Sequence, residues 1–278
     1  MHIHHLNCGT NCPLGGRLID GISKGLTAKL VCHCLLIESA DGLVLVDTGL
    51  GTEDIQHPVS RLSSTFLLMN NFQLRSQETA LAQLKSAGYN PNDVRHIVLT
   101  HLDFDHAGGV SDFPHATVHV MADELRAAKE RQGFWGVRRY RPVQWSSVAK
   151  WQLYEPQGET WNGFQAVKQL EGLPSDILLI SLIGHSRGHA GIAIRQSDSW
   201  LLHAGDAYVH HSELQYDSVY PGIIEYQGLL DVDKKARIQN QARLRELANN
   251  PAAKVHVFCS HDPLELAQLS NVGVWQRT

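Results

Sequence analysis

Apolar positions along the chain fall into short runs bounded by turn residues, a pattern that predicts strands more often than helices. His2 to Leu6 and Leu30 to Ile37 alternate or run apolar and read as strands, with a hairpin signal at Ala40-Asp41-Gly42. Leu81 and Leu84 mark the inner side of a helix over Thr79 to Ala87, with Gly88 just past its end. Pro91-Asn92-Asp93 then turns the chain into a strand over Val94 to Leu99. Further strands are predicted at Thr117 to Met121, Ile177 to Ile183, Gly191 to Arg195, Trp200 to Ala204 and Val255 to Cys259. A polar-faced helix is predicted over Val232 to Ala248, with Ile238, Leu244 and Leu247 turned inward. Two groups of strands, each followed by helices, predict an α/β or α+β fold.

Chemistry clusters where these strands end. The strand through Leu99 runs into Thr100-His101-Leu102-Asp103-Phe104-Asp105-His106-Ala107-Gly108-Gly109, four side chains able to bind a metal within six residues. Imidazole and carboxylate are the donors that first-row divalent metals take from proteins. With seventeen histidines in the chain, one His pair carries little weight. Three later segments add to it: Gly184 to Gly191 with His185 and His189, Trp200 to Tyr208 with His203 and Asp206, and Val255 to Asp262 with His261. Each places a donor near a short apolar run, and strand ends at one sheet edge are where α/β scaffolds build sites.

In this order the segments resemble the metallo-β-lactamase-fold hydrolase superfamily, whose members carry His-x-His-x-Asp-His, a distant His, a metal-bridging Asp and a last His. Gly42-Leu43-Val44-Leu45-Val46-Asp47-Thr48-Gly49 is similar to the early strand of that superfamily. The resemblance spans Val31 to His261, and the overall look is nearest the acyl-homoserine lactonase-like branch. It implies an αββα sandwich of two mixed β-sheets with helices outside and the metal site at one edge, a single domain over 1–278 with a helical insertion near 122–174. It implies a first metal held by His101, Asp103, His189 and Asp206, and a second by Asp105, His106, His261 and Asp206. His185 and His203 then act as supporting residues, and Asp47 supports the ligands by hydrogen bonding. Asp103 departs from the pattern, standing where most members have a second His. An oxygen donor there tilts the first site from zinc toward iron or manganese.

The reaction implied is attack by a metal-bound hydroxide on an ester, lactone, thioester or amide carbonyl. Asp105 would orient the nucleophile, and Tyr208 would steady the oxyanion. Two divalent ions are expected, zinc foremost, acting on a small-molecule substrate. The Asp103 departure keeps open an iron-dependent oxidoreductase, persulfide dioxygenase-like or di-iron; a non-catalytic relative is the third reading.

Composition narrows the partners. Of 278 residues, 43% are hydrophobic and 19% charged, ordinary for a globular enzyme. A net charge of −4 argues against nucleic acid and anionic membrane. The five cysteines are odd in number, and neither a secretory pattern nor a long apolar run is visible, so a cytoplasmic enzyme is expected. Residues 122–174 hold Trp135, Trp145, Trp151 and Trp161 together with Arg126, Lys129, Arg131, Arg138, Arg139 and Arg141. They read either as a lid whose arginines meet an anion or as a flap packed on the sandwich. Phe66-Leu67-Leu68-Met69 would wall the same pocket or make a subunit contact, which leaves a homo-oligomer open.

Overall fold

Strands rich in Leu, Ile and Val pair into two six-stranded sheets in the computed structural model, which describes residues 1–215 and 220–270. The end of the expected domain, 271–278, lies outside the described residues. The first sheet runs in order β1 (His2–Asn11), β2 (Leu30–Ser39), β3 (Gly42–Val46), β4 (Val94–Val98), β5 (Thr117–Met121) and β6 (Lys150–Tyr154). Its first three strands are antiparallel, and β3 to β6 are parallel. The second sheet holds β7 (Thr160–Trp161), β8 (Phe164–Val167), β9 (Ile177–Ser181), β10 (Ala190–Gln196), β11 (Ser199–His203) and β12 (Val255–Phe258). It is antiparallel except for the β11–β12 pair.

Side-chain alternation explains why these strands are apolar on both faces. Leu35, Ile37, Val44 and Val46 of the first sheet meet Leu179, Ile192, Ile194 and Phe258 of the second in the central core. Leu36, Leu45, Ile97 and Val118 point outward beneath Leu84, Leu125 and Ala128. Leu178, Ile180, Ala193 and Leu202 do the same beneath Leu244 and Leu247. Helices therefore cover both outer faces, and the fold is an αββα sandwich.

Two expectations need correction. The segment 122–174 is helical only in its first half, at Ala122–Glu130, Gly133–Arg139 and Pro142–Trp145; its second half supplies the edge strands β6, β7 and β8. The helix Lys234–Ala248 starts at an Asp233 cap whose side chain accepts from the Ala236 N–H. Ile238 on that helix is exposed, because the inner face must also satisfy polar partners. Asn240 donates to the Ile183 carbonyl at 2.8 Å, and Gln241 donates to buried Glu213.

The parallel strands β3, β4, β11 and β12 release their chains at one edge, and the loops there interlock. Thr48 donates its backbone N–H and its hydroxyl to the His106 carbonyl, each at 2.8 Å, and Gly109 N–H donates to the Gly49 carbonyl at 3.2 Å. Asp47 sits in the left-handed region (φ 53°) where this turn begins. Gly108 has an ordinary φ of −59°, so what demands glycine there is space. A methyl group would lie 2.6 Å from the Gly49 carbonyl and strike the Asp54 carboxylate. Gly108→Ala should therefore destabilise the protein by about 2–3 kcal/mol, read as a lowered urea midpoint; an unchanged midpoint would show that these loops yield.

Candidate metal centre

Each strand exit contributes a donor to one buried cluster at that edge. Asp206, following β11, is its hub. Asp206 Oδ1 lies 3.3 Å from His106 Nε2, and Oδ2 lies 3.1 Å from His261 Nε2, 3.6 Å from His185 Nε2 and 3.8 Å from His101 Nε2. Asp105, at the edge of the cluster, is 3.9 Å from His106 Nε2 and 4.0 Å from His261 Nε2. His106 with Asp206 and His261, and His101 with His185 and Asp206, form two groups of donor atoms that meet at Asp206, each within 4.8 Å.

The other ring nitrogens decide which face of each imidazole is free. His106 Nδ1 donates to Asp47 Oδ2 at 2.8 Å, and His261 Nδ1 donates to the Val31 carbonyl at 2.7 Å. Thr100 Oγ1 lies 2.9 Å from His101 Nδ1 and donates to Asp47 Oδ2 at 2.7 Å. These contacts turn the Nε2 lone pairs inward, as metal-binding histidines require. His101 Nε2, His106 Nε2 and Asp206 Oδ1 are buried with no hydrogen-bond partner. Such atoms are costly unless something binds them. Asp105, His106, Asp206 and His261 therefore fit a divalent ion, as two nitrogens and two carboxylates.

Electrostatics agree. Burial opposes charge on Asp206, yet His261 and His106 hold its carboxyl well below the usual range. Burial also opposes charge on His106, but Asp206 and Asp47 push its imidazole well up.

Of the two histidines in Gly184 to Gly191, the structure brings His185 into the cluster and turns His189 away from it. His189 Nδ1 donates to the Leu182 carbonyl at 2.9 Å, and Nε2 accepts the Asp206 backbone N–H at 2.9 Å. Both ring nitrogens are used, so His189 is a strut under Asp206 with no lone pair for a metal. Gly205 (φ 56°) allows this, since a methyl group there would lie 2.5 Å from His189 Nε2. Spacing along the chain cannot separate His185 from His189; the β9–β10 pairing, which puts Leu182 opposite His189, does.

Asp103 is also spent differently from the expectation. Arg139, from the insertion, grips it with Nε to Oδ1 at 2.8 Å and Nη2 to Oδ2 at 2.6 Å. The same Nη2 lies 2.7 Å from His185 Nε2. Burial works against the Asp103 charge, but Arg139 and His101 hold it well below its ordinary value. Tyr208 is not at the site: it is fully buried and donates to Glu265 Oε1 at 2.9 Å. The phenol that does reach the cleft is Tyr226, whose Oη donates to Asn70 Oδ1 at 2.7 Å. Burial, then Asp105 and Asp206, raise its pKa and keep it protonated. His203 donates to the His33 carbonyl at 2.6 Å and is a core residue, while His210 and His211 gather with Asp262 away from the hub. Cys32 is buried with its thiol within 4.8 Å of donor atoms of Asp105 and His261; burial, then Asp105, push its pKa well up. Glu124 was not anticipated from sequence. Fully buried, it accepts from Leu102 N–H, Ser186 Oγ and Gly188 N–H, which ties the loop of His185 to the metal run.

The chain is similar to known proteins over most of its length. A family model described as the metallo-beta-lactamase superfamily matches residues 28–261. A probable metallo-hydrolase of Mycobacterium tuberculosis is 39% identical over 271 residues, 97% of this chain and 83% of the relative. An N-acyl homoserine lactonase of Bacillus thuringiensis is 25% identical over 259 residues, 90% of this chain and 91% of the relative. A solved N-acyl homoserine lactone hydrolase, with N-hexanoyl-L-homoserine at its catalytic metal centre, shares the fold at TM-score 0.70 and 22% identity, covering 96% of this chain and 95% of that one.

Two substitutions separate ligands from supports. His261→Ala should lose bound metal through gel filtration, whereas His189→Gln should keep wild-type metal content and lose about 1–3 kcal/mol of stability. Metal loss in His189→Gln alone would reverse that assignment. Asp47→Asn should weaken metal affinity by about 10- to 100-fold, measured by chelator competition; unchanged affinity would show that Asp47 does not orient His106.

Proposed function

This chain belongs to the metallo-β-lactamase superfamily, and from that membership and the site geometry we propose that it is a metal-dependent hydrolase of small-molecule esters, lactones or thioesters. The observation that carries the reading is that His106 Nε2 and Asp206 Oδ1 are buried without a hydrogen-bond partner beside Asp105 and His261, which together with Asp206 line a cleft. Phe66, Phe104, Val209 and Leu230 give it an apolar wall suited to an acyl chain, and Asn70, Tyr226 and Gln227 give it polar contacts. The lactonases among its relatives support the same class.

Asp105, His106, Asp206 and His261 would hold a divalent ion, zinc the first choice, which would lower the pKa of water and polarise a carbonyl. The chain's own groups do the rest. Asp105 is half-buried at the cleft floor and places a carboxylate where the attacking water's proton must go. Tyr226, held protonated, can donate to the oxyanion that forms at the carbonyl. Asn70 fixes the direction of that phenol.

The iron oxidoreductase reading rested on Asp103 as a metal-hardening ligand, and Arg139 now occupies both its oxygens. All five cysteines are free, which suits a reducing compartment. Among the described residues no helix is long and apolar enough to cross a membrane.

Metal-loaded protein should hydrolyse N-acyl homoserine lactones or short acyl thioesters, followed by acid release. Chelation should abolish the activity, and added zinc should restore it. Tyr226→Phe should lower kcat/KM by about 10²-fold, while Tyr208→Phe should leave it unchanged. Oxygen uptake without ester, lactone or thioester hydrolysis would overturn the reading.

A further inference from the structure

The two halves of the cluster differ in one respect: one is open, and the other already contains a cation. We propose that Arg139 is the resident cation of the half formed by His101, Asp103 and His185, so that this chain binds a single divalent ion, at Asp105, His106, Asp206 and His261. The proposal rests on the metal-binding part of the functional reading and sets its stoichiometry.

Arg139 is buried, and each of its five N–H donors has an acceptor. Nε and one Nη2 hydrogen take the two Asp103 oxygens. Both Nη1 hydrogens take backbone carbonyls, His185 at 3.1 Å and Leu230 at 3.0 Å. The last Nη2 hydrogen is directed at His185 Nε2, 2.7 Å away. Arginine does not give up its proton, so toward Nη2 the His185 Nε2 can only accept, which uses its one in-plane lone pair, while Asp103 Oδ2 lies 3.1 Å from the same nitrogen. A metal in this half would need that lone pair together with Asp103 Oδ2, and Nη2 stands within hydrogen-bond distance of both. The two carbonyl contacts anchor the guanidinium from behind, so it cannot withdraw without leaving Nη1 unsatisfied in the core.

Charge points the same way: Arg139 already pairs with Asp103 in the buried cluster, so a second dication there would meet a carboxylate whose charge is compensated and a guanidinium that repels it. The Asp at position 103 fits as part of the same substitution: a carboxylate pairs with guanidinium, which an imidazole in its place would not do.

The test is metal content. Apo-protein, saturated separately with zinc(II) and cobalt(II) and desalted, should retain about one equivalent per chain by elemental analysis. The cobalt absorption titration should break at the same point. Two tightly held equivalents in the wild type would overturn the proposal without any variant. The double substitution Arg139→Met with Asp103→His removes both charges and should admit a second equivalent. If a folded double variant, checked by near-ultraviolet circular dichroism, still holds one, Arg139 is not what excludes the second ion. Hydrolysis is scored separately: a one-metal protein inactive on esters, lactones and thioesters sinks the hydrolase reading and leaves this one standing, and a two-metal active protein does the reverse.

Discussion

A buried carboxylate stays charged only if the groups around it supply the compensation that water would have supplied, and Asp206 imposes that requirement here. It is almost fully buried and faces four imidazoles. Its own N–H is held by His189, which in turn grips Leu182 at the end of the neighbouring strand. The second sheet is thus registered to the hub through one imidazole, and Gly205 is the conformational condition for that contact.

Two further carboxylates keep the donors aimed without touching the hub. Asp47 collects Thr100 N–H, Thr100 Oγ1 and His106 Nδ1, pinning the turn where β4 becomes the metal run. Glu124 collects Leu102, Ser186 and Gly188, pinning that run to the loop of His185. The first comes from the first sheet and the second from the insertion, so the two sides of the centre are fixed by different parts of the chain. Orientation of this kind is what lets ligands meet an ion without rearranging, and it turns core packing into metal affinity.

The insertion joins the site in a second way. Trp135 stacks on Phe66, with ring centroids 5.7 Å apart, and Phe66 stacks on Phe104 at 5.1 Å, so the apolar wall of the cleft is continuous with the helix that ends at Arg139. Trp145 and Trp151 pack over the outer face of the first sheet, and Trp161 over that of the second. The arginine-rich stretch does meet an anion, and that anion is Asp103 of the same chain.

What the sequence by itself determined follows from local rules. Apolar runs of strand length, the Thr79 and Gly88 bounds of a helix, and donors placed after apolar runs led to an α/β or α+β fold with chemistry at strand ends, and the superfamily resemblance added the sandwich. The resemblance also pointed to Asp105, His106, Asp206 and His261, which the structure brings together in the loops and the short helix that follow β4, β11 and β12. Only the tertiary structure decided between His185 and His189, four residues apart with equal chemistry, because strand pairing turns one ring onto Leu182 and leaves the other facing the cluster. It alone placed Tyr226 in the cleft and Tyr208 in the core. It alone joined Arg139 to Asp103 across 36 positions, because an ion pair depends on distance in space and leaves no periodicity along the chain.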